Sequence, residues 1–483
     1  MNRGTHLYSR RSQEYIESRA VWAENESAFK GGRSHIELSL IRHVSELLPE
    51  FEERKKRAHY INYPRAIACR ITSYALAVEP TRTNAAPDLV EDFSRTGLRC
   101  NDIMRQISTY LTVYGKIWVY VGMPHFDGVS NLEQRQKDRL RPFARVISPL
   151  DVYDYAEDES GNLLWAIVAE NYYRKDDPYE IAVEAKRVRL WTREKWELWE
   201  QGPGGAVLLQ SGDNSIGKVP LIPVVEPESI EPGLAHWFND VVRISNSILN
   251  AGSESQMNII KQMFGLLVVS ESFIRGAERM ERKDGNGKTE MSGFANVISR
   301  SFAAVESKDE AGITRYINSN GAENAAIRAE CETLKNEMYE VVGLAMQSRS
   351  REAQSSESKS WDFQNVSQFL ASRADLLECV ERRIWGLMSE WDSLVPVPEI
   401  TYNRKFAVKD LEKSISGLLQ LSTLPNTGVE YAKQILRAGL DQLNELAEIS
   451  TENYQKIQEE IEGLQPTPVP HLTIPQGTDP GDE

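Results

Sequence analysis

Asp284-Gly-Asn-Gly-Lys-Thr289 closes on the Gly-Lys-Thr of a phosphate-binding loop, where backbone N–H groups and a lysine cradle phosphates. The leading glycine of such a loop would fall at position 282, which is Arg282, and no apolar strand or helix brackets the triplet. The stretch reads as a polar hairpin tip. Five acids, Asp151, Asp154, Glu157, Asp158 and Glu159, carry the oxygens that calcium takes. Their spacing misses the alternating ligand positions, and the glycine at Gly161 falls too late in the sequence. The seven histidines are dispersed, with neither H-x-x-x-H nor H-E-x-x-H, so no zinc enzyme is indicated. The four cysteines, Cys69, Cys100, Cys331 and Cys379, have no C-x-x-C spacing and read as buried thiols in a reducing compartment. No G-x-S-x-G elbow or dinucleotide fingerprint occurs. The chain thus shows no catalytic signature and implies no cofactor and no metal.

Composition narrows the field further. At 483 residues the chain exceeds one simple core, and roughly two to four subdomains are expected. Hydrophobic residues at 41% and charged residues at 26% are ordinary for a soluble globular chain. No run approaches the ~18 consecutive apolar residues of a membrane span, and the N-terminus lacks the apolar centre of a secretory signal. The net charge of −15 argues against a protein that coats nucleic acid, which needs concentrated Lys and Arg. It is compatible with one that lets DNA pass without gripping it.

The elements that would position any site centre on about Pro232 to Trp391. Leu234 to Gln262 carries Trp237, Val241, Ile244, Ile248, Leu249, Met257 and Ile260 at helical spacing, without a proline. Phe264 to Ser270 is a short β-rich run, and Arg275 to Gly293 is polar with four glycines. Ala322 to Met346 returns to helix through Ala325, Ala326, Ala329, Leu334, Met338, Val341, Val342 and Ala345. Each helix makes a rod of about 37 Å, and the order reads as a stalk with something held at its tip. Ser360 to Trp391 is a third long helix.

Before the stalk, Ser12 to Leu48 reads as helical, broken at Gly31 to Ser34, with Ser34 as a cap. Phe51 to Ala77 is helical with a break at Pro64. Its basic run Arg54, Lys55, Lys56 and Arg57 reads as a solvated face, with partner or DNA contact as the rival. Glu91 to Val113 is helical and Gly115 to Met123 a buried strand. Strands are expected at Leu163 to Tyr173 and at Arg187 to Glu200, the latter with Trp191, Trp196 and Trp199, and at Ala206 to Leu209 after a loop at Gly202 to Gly205. After the third long helix come a strand at Glu399 to Phe406 and short helices at Val408 to Leu421, Gly428 to Ala438 and Thr451 to Leu464. From Gln465 onward composition favours disorder. The fold class is α+β and helix-rich.

This order of parts resembles the portal proteins of tailed double-stranded DNA bacteriophages, the head-to-tail connector rings. Three local stretches carry the resemblance. One is Ala58-His-Tyr-Ile-Asn-Tyr-Pro-Arg65 after a helix. Another is Val113-Tyr-Gly-Lys-Ile-Trp-Val-Tyr120 followed by Ile147-Ser-Pro-Leu-Asp-Val-Tyr153, and the third is Asn246 to Val269, where a helix runs into Leu-Leu-Val-Val. The resemblance, of architecture and loose patterns, covers about residues 10 to 465.

The resemblance implies a ring oligomer, usually of twelve subunits, around a DNA channel at one capsid vertex. Residues 1–232 would form the wing, 233–262 and 322–346 the stem helices, and 263–321 the clip. Residues 347–359 would be the tunnel loop, 360–407 the long wing helix and strand, 408–465 the crown, and 466–483 a disordered tail. It implies Arg349, Arg351 and Lys359 as phosphate contacts in the channel, or else as incidental charges of a solvated linker. In the clip, Arg275, Arg279, Arg282 and Lys283 would meet a partner or simply solvate a hairpin. Partners would be the major capsid protein and scaffold, terminase, a neck adaptor and passing double-stranded DNA, with no membrane. The location would be the virion, with assembly in the host cytoplasm. The rival class is an intracellular enzyme with an α+β core and a helical lid, its best site being Asp151 to Glu159.

Overall fold

The computed structural model describes residues 3–124, 140–174, 179, 181, 183–202, 204–227, 236–263, 266–270, 303–306, 315–317, 322–342, 356–404, 406, 429–447 and 451–463. The chain is mixed helix and sheet and divides into two units, Met1–Phe406 and Ala407–Glu483.

The first unit begins with helices α1 (Arg3–Ser9), α2 (Gln13–Lys30), α3 (Gly32–Ser39), α4 (Leu48–Arg57) and α5 (Tyr63–Ala75). Ser12 opens α2 by accepting the Tyr15 N–H at 3.1 Å. Gly31, at φ +65°, closes it and opens α3 on the next residue, so the break is marked by Gly31 while the expected cap Ser34 lies inside the helix. Pro64 breaks nothing. It sits in the first turn of α5, where a missing N–H costs no hydrogen bond, and Asn62 caps that turn by accepting the Arg65 N–H at 2.9 Å.

Helices α6 (Pro87–Glu91) and α7 (Cys100–Tyr114) follow. The helix expected from Glu91 therefore starts only at Cys100, because Arg95 and Gly97, both at positive φ, turn the chain between them. Helix α7 buries Ile103, Met104, Ile107 and Leu111. Left-handed Gly115 ends it by donating to the Leu111 carbonyl at 2.7 Å, and strand β2 starts immediately.

Strand β1 (Thr81–Thr83) precedes α6 and pairs with β13 (Glu399–Thr401), which ends short of the expected Phe406. Strand β2 (Lys116–Gly122) lies between β3 (Phe143–Ile147) and β9 (Leu221–Val225), antiparallel to both. A five-stranded antiparallel meander runs through β4 (Val152–Glu157), β5 (Leu163–Arg174), β6 (Val183–Thr192), β7 (Lys195–Gly202) and β8 (Gly205–Asp213). The single strand expected over Arg187 to Glu200 is two strands, with Trp191 opposite Trp196 across the turn.

The remainder of this unit comprises α8 (Trp237–Met263), β10 (Leu266–Ser270), β11 (Ala303–Glu306), β12 (Arg315–Ile317), α9 (Ala322–Val341) and α10 (Ser356–Trp391). The 36-residue α10 threads the core with a stripe of Ala374, Leu377, Ile384, Trp385 and Met388, all buried, against α7 and β2. Truncating a fully buried Trp such as Trp385 to alanine costs about 3–5 kcal/mol. The second unit contains α11 (Val429–Ala447), which runs nine residues beyond the expected end at Ala438, and α12 (Thr451–Glu462), joined by Lys433 Nζ donating to the Glu462 carbonyl at 2.7 Å and by an Arg437–Glu462 ion pair. The helix expected at Val408 to Leu421 and the tail beyond residue 463 lie outside the described residues.

All four cysteines are free, and the expected burial holds for Cys100 alone: Cys69 and Cys379 are exposed and Cys331 half-buried. Among the described residues, no helix is long and apolar enough to cross a membrane.

Candidate functional site: an antiparallel helix pair

Helices α8 and α9 run antiparallel. Ser255 Oγ donates to Asn324 Oδ1 at 3.3 Å, and Asn258 Nδ2 to Glu323 Oε2 at 3.2 Å. Toward the other end, Val241 and Met338 share a buried cluster with Ile67, Ile71 and Leu370. The three-stranded sheet β11-β10-β12 belongs to the chain between the two helices, with β11 parallel and β12 antiparallel to β10.

Helix α9 is covered along one narrow stripe only. Asn324 and Met338 are buried and Ile327, Cys331, Leu334 and Tyr339 half-buried, while Ala325, Ala326, Ala329, Glu330, Thr333, Glu337 and Val341 are exposed. A helix this open would not hold on its own charge pattern, which includes Glu323, Glu330, Glu332, Glu337 and Glu340 against Arg328 and Lys335.

Helix α8, by contrast, is anchored at many points. His236, just before it, shares a hydrogen bond of 2.6 Å with Glu226 at the end of β9, and Glu226 also pairs with Arg373 of α10; all three are buried. Burial alone would raise the Glu226 carboxyl, but the Arg373 guanidinium and the His236 hydrogen bond outweigh it and hold it below its ordinary value. Asn239 Nδ2 donates to Asn25 Oδ1 at 3.0 Å. Further along, buried Arg54 of α4 donates to Ser253 Oγ at 2.9 Å, to both oxygens of Glu46 at 2.8 Å and to the Ile41 carbonyl at 2.7 Å. The basic run on α4 is thus only partly a solvated face: Arg54 leaves it to bind α8.

On the same side, His35 Nε2 meets Asn246 Oδ1 at 2.9 Å, Asn250 Nδ2 donates to the Ser39 carbonyl at 3.0 Å, and Asn250 Oδ1 accepts the Ile41 N–H at 2.9 Å. These bonds leave an open groove of about 850 Å³ between α2, α3 and α8, lined by Glu24, His35, Leu38, Ile41, Arg243 and Asn246 among others. The segment beside it exposes Leu38 (77%), Ile41 (72%), Val44 (93%) and Leu47 (66%).

A second buried ionic cluster lies in the body. Glu381 accepts from Arg82 Nε at 2.6 Å, Arg82 Nη2 at 3.1 Å, Tyr402 OH at 2.5 Å, Trp385 Nε1 at 3.1 Å and the Cys100 thiol at 3.4 Å. Burial and the Glu381 charge push the Cys100 thiol well above its ordinary value, so it serves as a donor and not a nucleophile.

The residues expected to do chemistry do not converge. Asp154 Oδ2 accepts from Arg10 at 2.8 Å. Asp158 pairs with Arg193 at 2.6 Å and accepts the N–H groups of Ser160 and Asn162; the Arg193 bond above all pulls it down to about 2. This is a pinned turn. Among the described residues no group of three His, Cys, Asp or Glu is placed to hold a metal ion.

Of the residues implied by the resemblance, Arg349, Arg351, Arg275, Arg279, Arg282 and Lys283 lie outside the described residues. Lys359 lies within α10, which begins at Ser356 and not at the expected Ser360. Ser and Glu are favoured in a first helical turn, and Ser356 and Glu357 extend the helix back into the stretch expected to be loop. Sequence reading missed both ionic clusters. The signal was present in α10, where Glu381 falls in the apolar stripe between Leu377 and Ile384.

No protein-family model matches the chain, and no curated protein matches it either. Among solved structures it is similar to a chain in the virion of a native gene transfer agent particle, at 10% identity and a TM-score of 0.40, covering 86% of this chain and 98% of that one. It is likewise similar to a chain in the neck of a native gene transfer agent particle computed with C12 symmetry, at 11% identity and a TM-score of 0.39, covering 84% and 98%.

Proposed function

We propose that the chain is the portal subunit of a tailed-phage-type particle. In this reading it forms a ring at one capsid vertex that nucleates head assembly with scaffold and capsid protein, docks terminase, passes double-stranded DNA and later holds the neck and tail. The observation that carries the reading is the antiparallel pair α8 and α9, with the small sheet in the chain between them and α9 covered on a single stripe. A monomer gains nothing from so open a helix, whereas a ring covers one face with a neighbour and turns another to the lumen. The order α+β body, helix, sheet, helix, long helix supports it further. No hydrolysis is assigned to the chain.

In this reading α8 and α9 are the stem, the three strands belong to the clip, and Arg349, Arg351 and Lys359 make weak phosphate contacts in the channel. Arg275, Arg279, Arg282 and Lys283 are the proposed docking residues of the clip. Negative-stain microscopy of the purified chain, alone and with scaffold and capsid protein, tests the proposal. Rings with a central hole and rotational symmetry near twelve are the expected outcome. Chains that stay monomeric even with scaffold and capsid protein present overturn it.

A further inference from the structure

Helix α8 has two opposite working faces. Val241, Ile244, Ile248 and Ser255 turn to α9, while Asn246, Leu249, Asn250 and Ser253 turn to α3 and α4. At 3.6 residues per turn these two sets lie on opposite sides of the rod. The open faces of α9 and the apolar groove beside α3 therefore flank one helix, on opposite sides.

The two flanks also differ in charge. The groove side carries Leu38, Ile41, Val44 and Leu47 with the exposed cations Arg42 and Arg243. Its acids are engaged: Glu24 accepts from Asn239, and Glu254 lies 3.9 Å from Arg54. The open side of α9 carries Ala326, Ala329 and Thr333 with Glu330 and Glu337. The side chains of Arg42, Arg243, Glu330 and Glu337 make no hydrogen bond or ion pair with another described residue.

Height along the stem matches as well. Ser255 lies beside Asn324 and Val241 packs with Met338, so a step along α8 is a step back along α9. Arg243 stands level with Glu337. Asn250, which holds Ile41 next to Arg42, stands level with Glu330.

We infer that the α3–α8 groove of one copy receives the open face of α9 from the next copy, with Arg243 facing Glu337 and Arg42 facing Glu330 across the joint. The occupant is a second copy of this chain because the complementary surface lies on the chain itself, on the opposite flank and at the same heights. Such a joint is heterologous: each copy offers two different faces, and the contact closes only as a ring or continues as a filament. The inference rests on the ring reading above and specifies how neighbours meet.

The test is a charge swap. Glu330→Lys with Glu337→Lys should lower the ring fraction at least about tenfold, at a concentration where the wild type is half assembled, because every joint loses two ion pairs and gains two like-charge contacts. Arg42→Glu with Arg243→Glu should do the same, and the four changes together should restore rings. All four positions are exposed, so circular dichroism and melting should match the wild type and set aside misfolding. Wild-type rings accompanied by equally abundant rings of both reversal variants overturn this joint and leave the ring reading standing. A wild type that forms no ring under any of the conditions above overturns both.

Discussion

At the scale of single residues, buried charge sets the sharpest energetic demands. Glu381 is fully buried and satisfied by five donors, and Arg82, its ionic partner, is 7% exposed at the side chain. A buried pair of this kind adds little net stability over an apolar pair, but stranding one member is costly. Glu381→Gln leaves the Arg82 guanidinium buried against a neutral amide and should cost about 3–5 kcal/mol in denaturant melts. Adding Arg82→Met removes the stranded charge and should return part of that loss. A single variant costing below about 1 kcal/mol would mean water reaches the cluster. His35 makes a pH-dependent prediction. Burial lowers its imidazole below the ordinary value, against the Asn246 hydrogen bond and Glu24, which favour the charged form. The folded chain therefore binds this proton less readily than the unfolded chain. The His35 contribution is fully present above the unfolded value of about 6.5 and is lost as pH falls below it. Melting temperatures taken from pH 7.5 to 5.5 should fall more steeply for the wild type than for His35→Gln. Equal slopes would show that His35 carries no part of the dependence.

At the scale of elements, much was legible where a segment obeys one period. Strand β2 and helix α8 follow directly from spacing. What could not be read depended on partners far along the chain. Arg54 looks like its basic neighbours on α4, and only Ser253, Glu46 and the Ile41 carbonyl make it a buried strut. Pro64 carries the same side chain whether it breaks a helix or starts one, and Asn62 two residues earlier decided the matter. The Trp191–Trp196 hairpin was hidden because its turn at Arg193-Glu194 has no Gly, Pro, Asn or Asp to mark it. The candidate groove was illegible for a different reason: its walls come from residues about 200 positions apart, as with Ile41 and Asn250. The α8–α9 pair yields a prediction at this scale. Met338 is fully buried where α9 meets α5, α8 and α10, and it is the main apolar anchor of an otherwise exposed helix. Met338→Ala should cost about 2–4 kcal/mol. Hydrogen exchange should locate the loss in Ala322–Val341 ahead of α8, which has Arg54, Asn239 and the Glu226 cluster to hold it. Uniform loss of protection across both helices would show that they open as one unit.

At the scale of the whole molecule, charge dominates. The chain carries 56 basic and 71 acidic residues, a net of −15 that a ring would multiply by its copy number. The acids are prominent on α9, the helix whose free faces the proposed function turns toward a neighbour and the lumen. In the proposed ring, a lumen that keeps the sign of the net charge would repel phosphate and keep adhesion low, which suits passage and opposes storage. The few cations proposed to meet DNA, Arg349, Arg351 and Lys359, then act as a weak brake and not as a grip. This has a measurable consequence in salt dependence. A protein that neutralises many phosphates loses about 10³–10⁵ in affinity between 50 and 200 mM salt, through release of counterions. A conduit whose acidic wall leaves no more than one or two phosphates neutralised at a time should bind linear double-stranded DNA feebly, with a loss of less than about tenfold over the same range. Filter retention or fluorescence anisotropy with assembled rings measures that slope. Arg349→Ala with Arg351→Ala should flatten it while leaving the rings intact. In a packaging reaction the same variant should let DNA slip back when the motor is stalled. A steep slope in wild-type rings would mean that the lumen grips DNA, and the conduit reading of the charge would have to be abandoned.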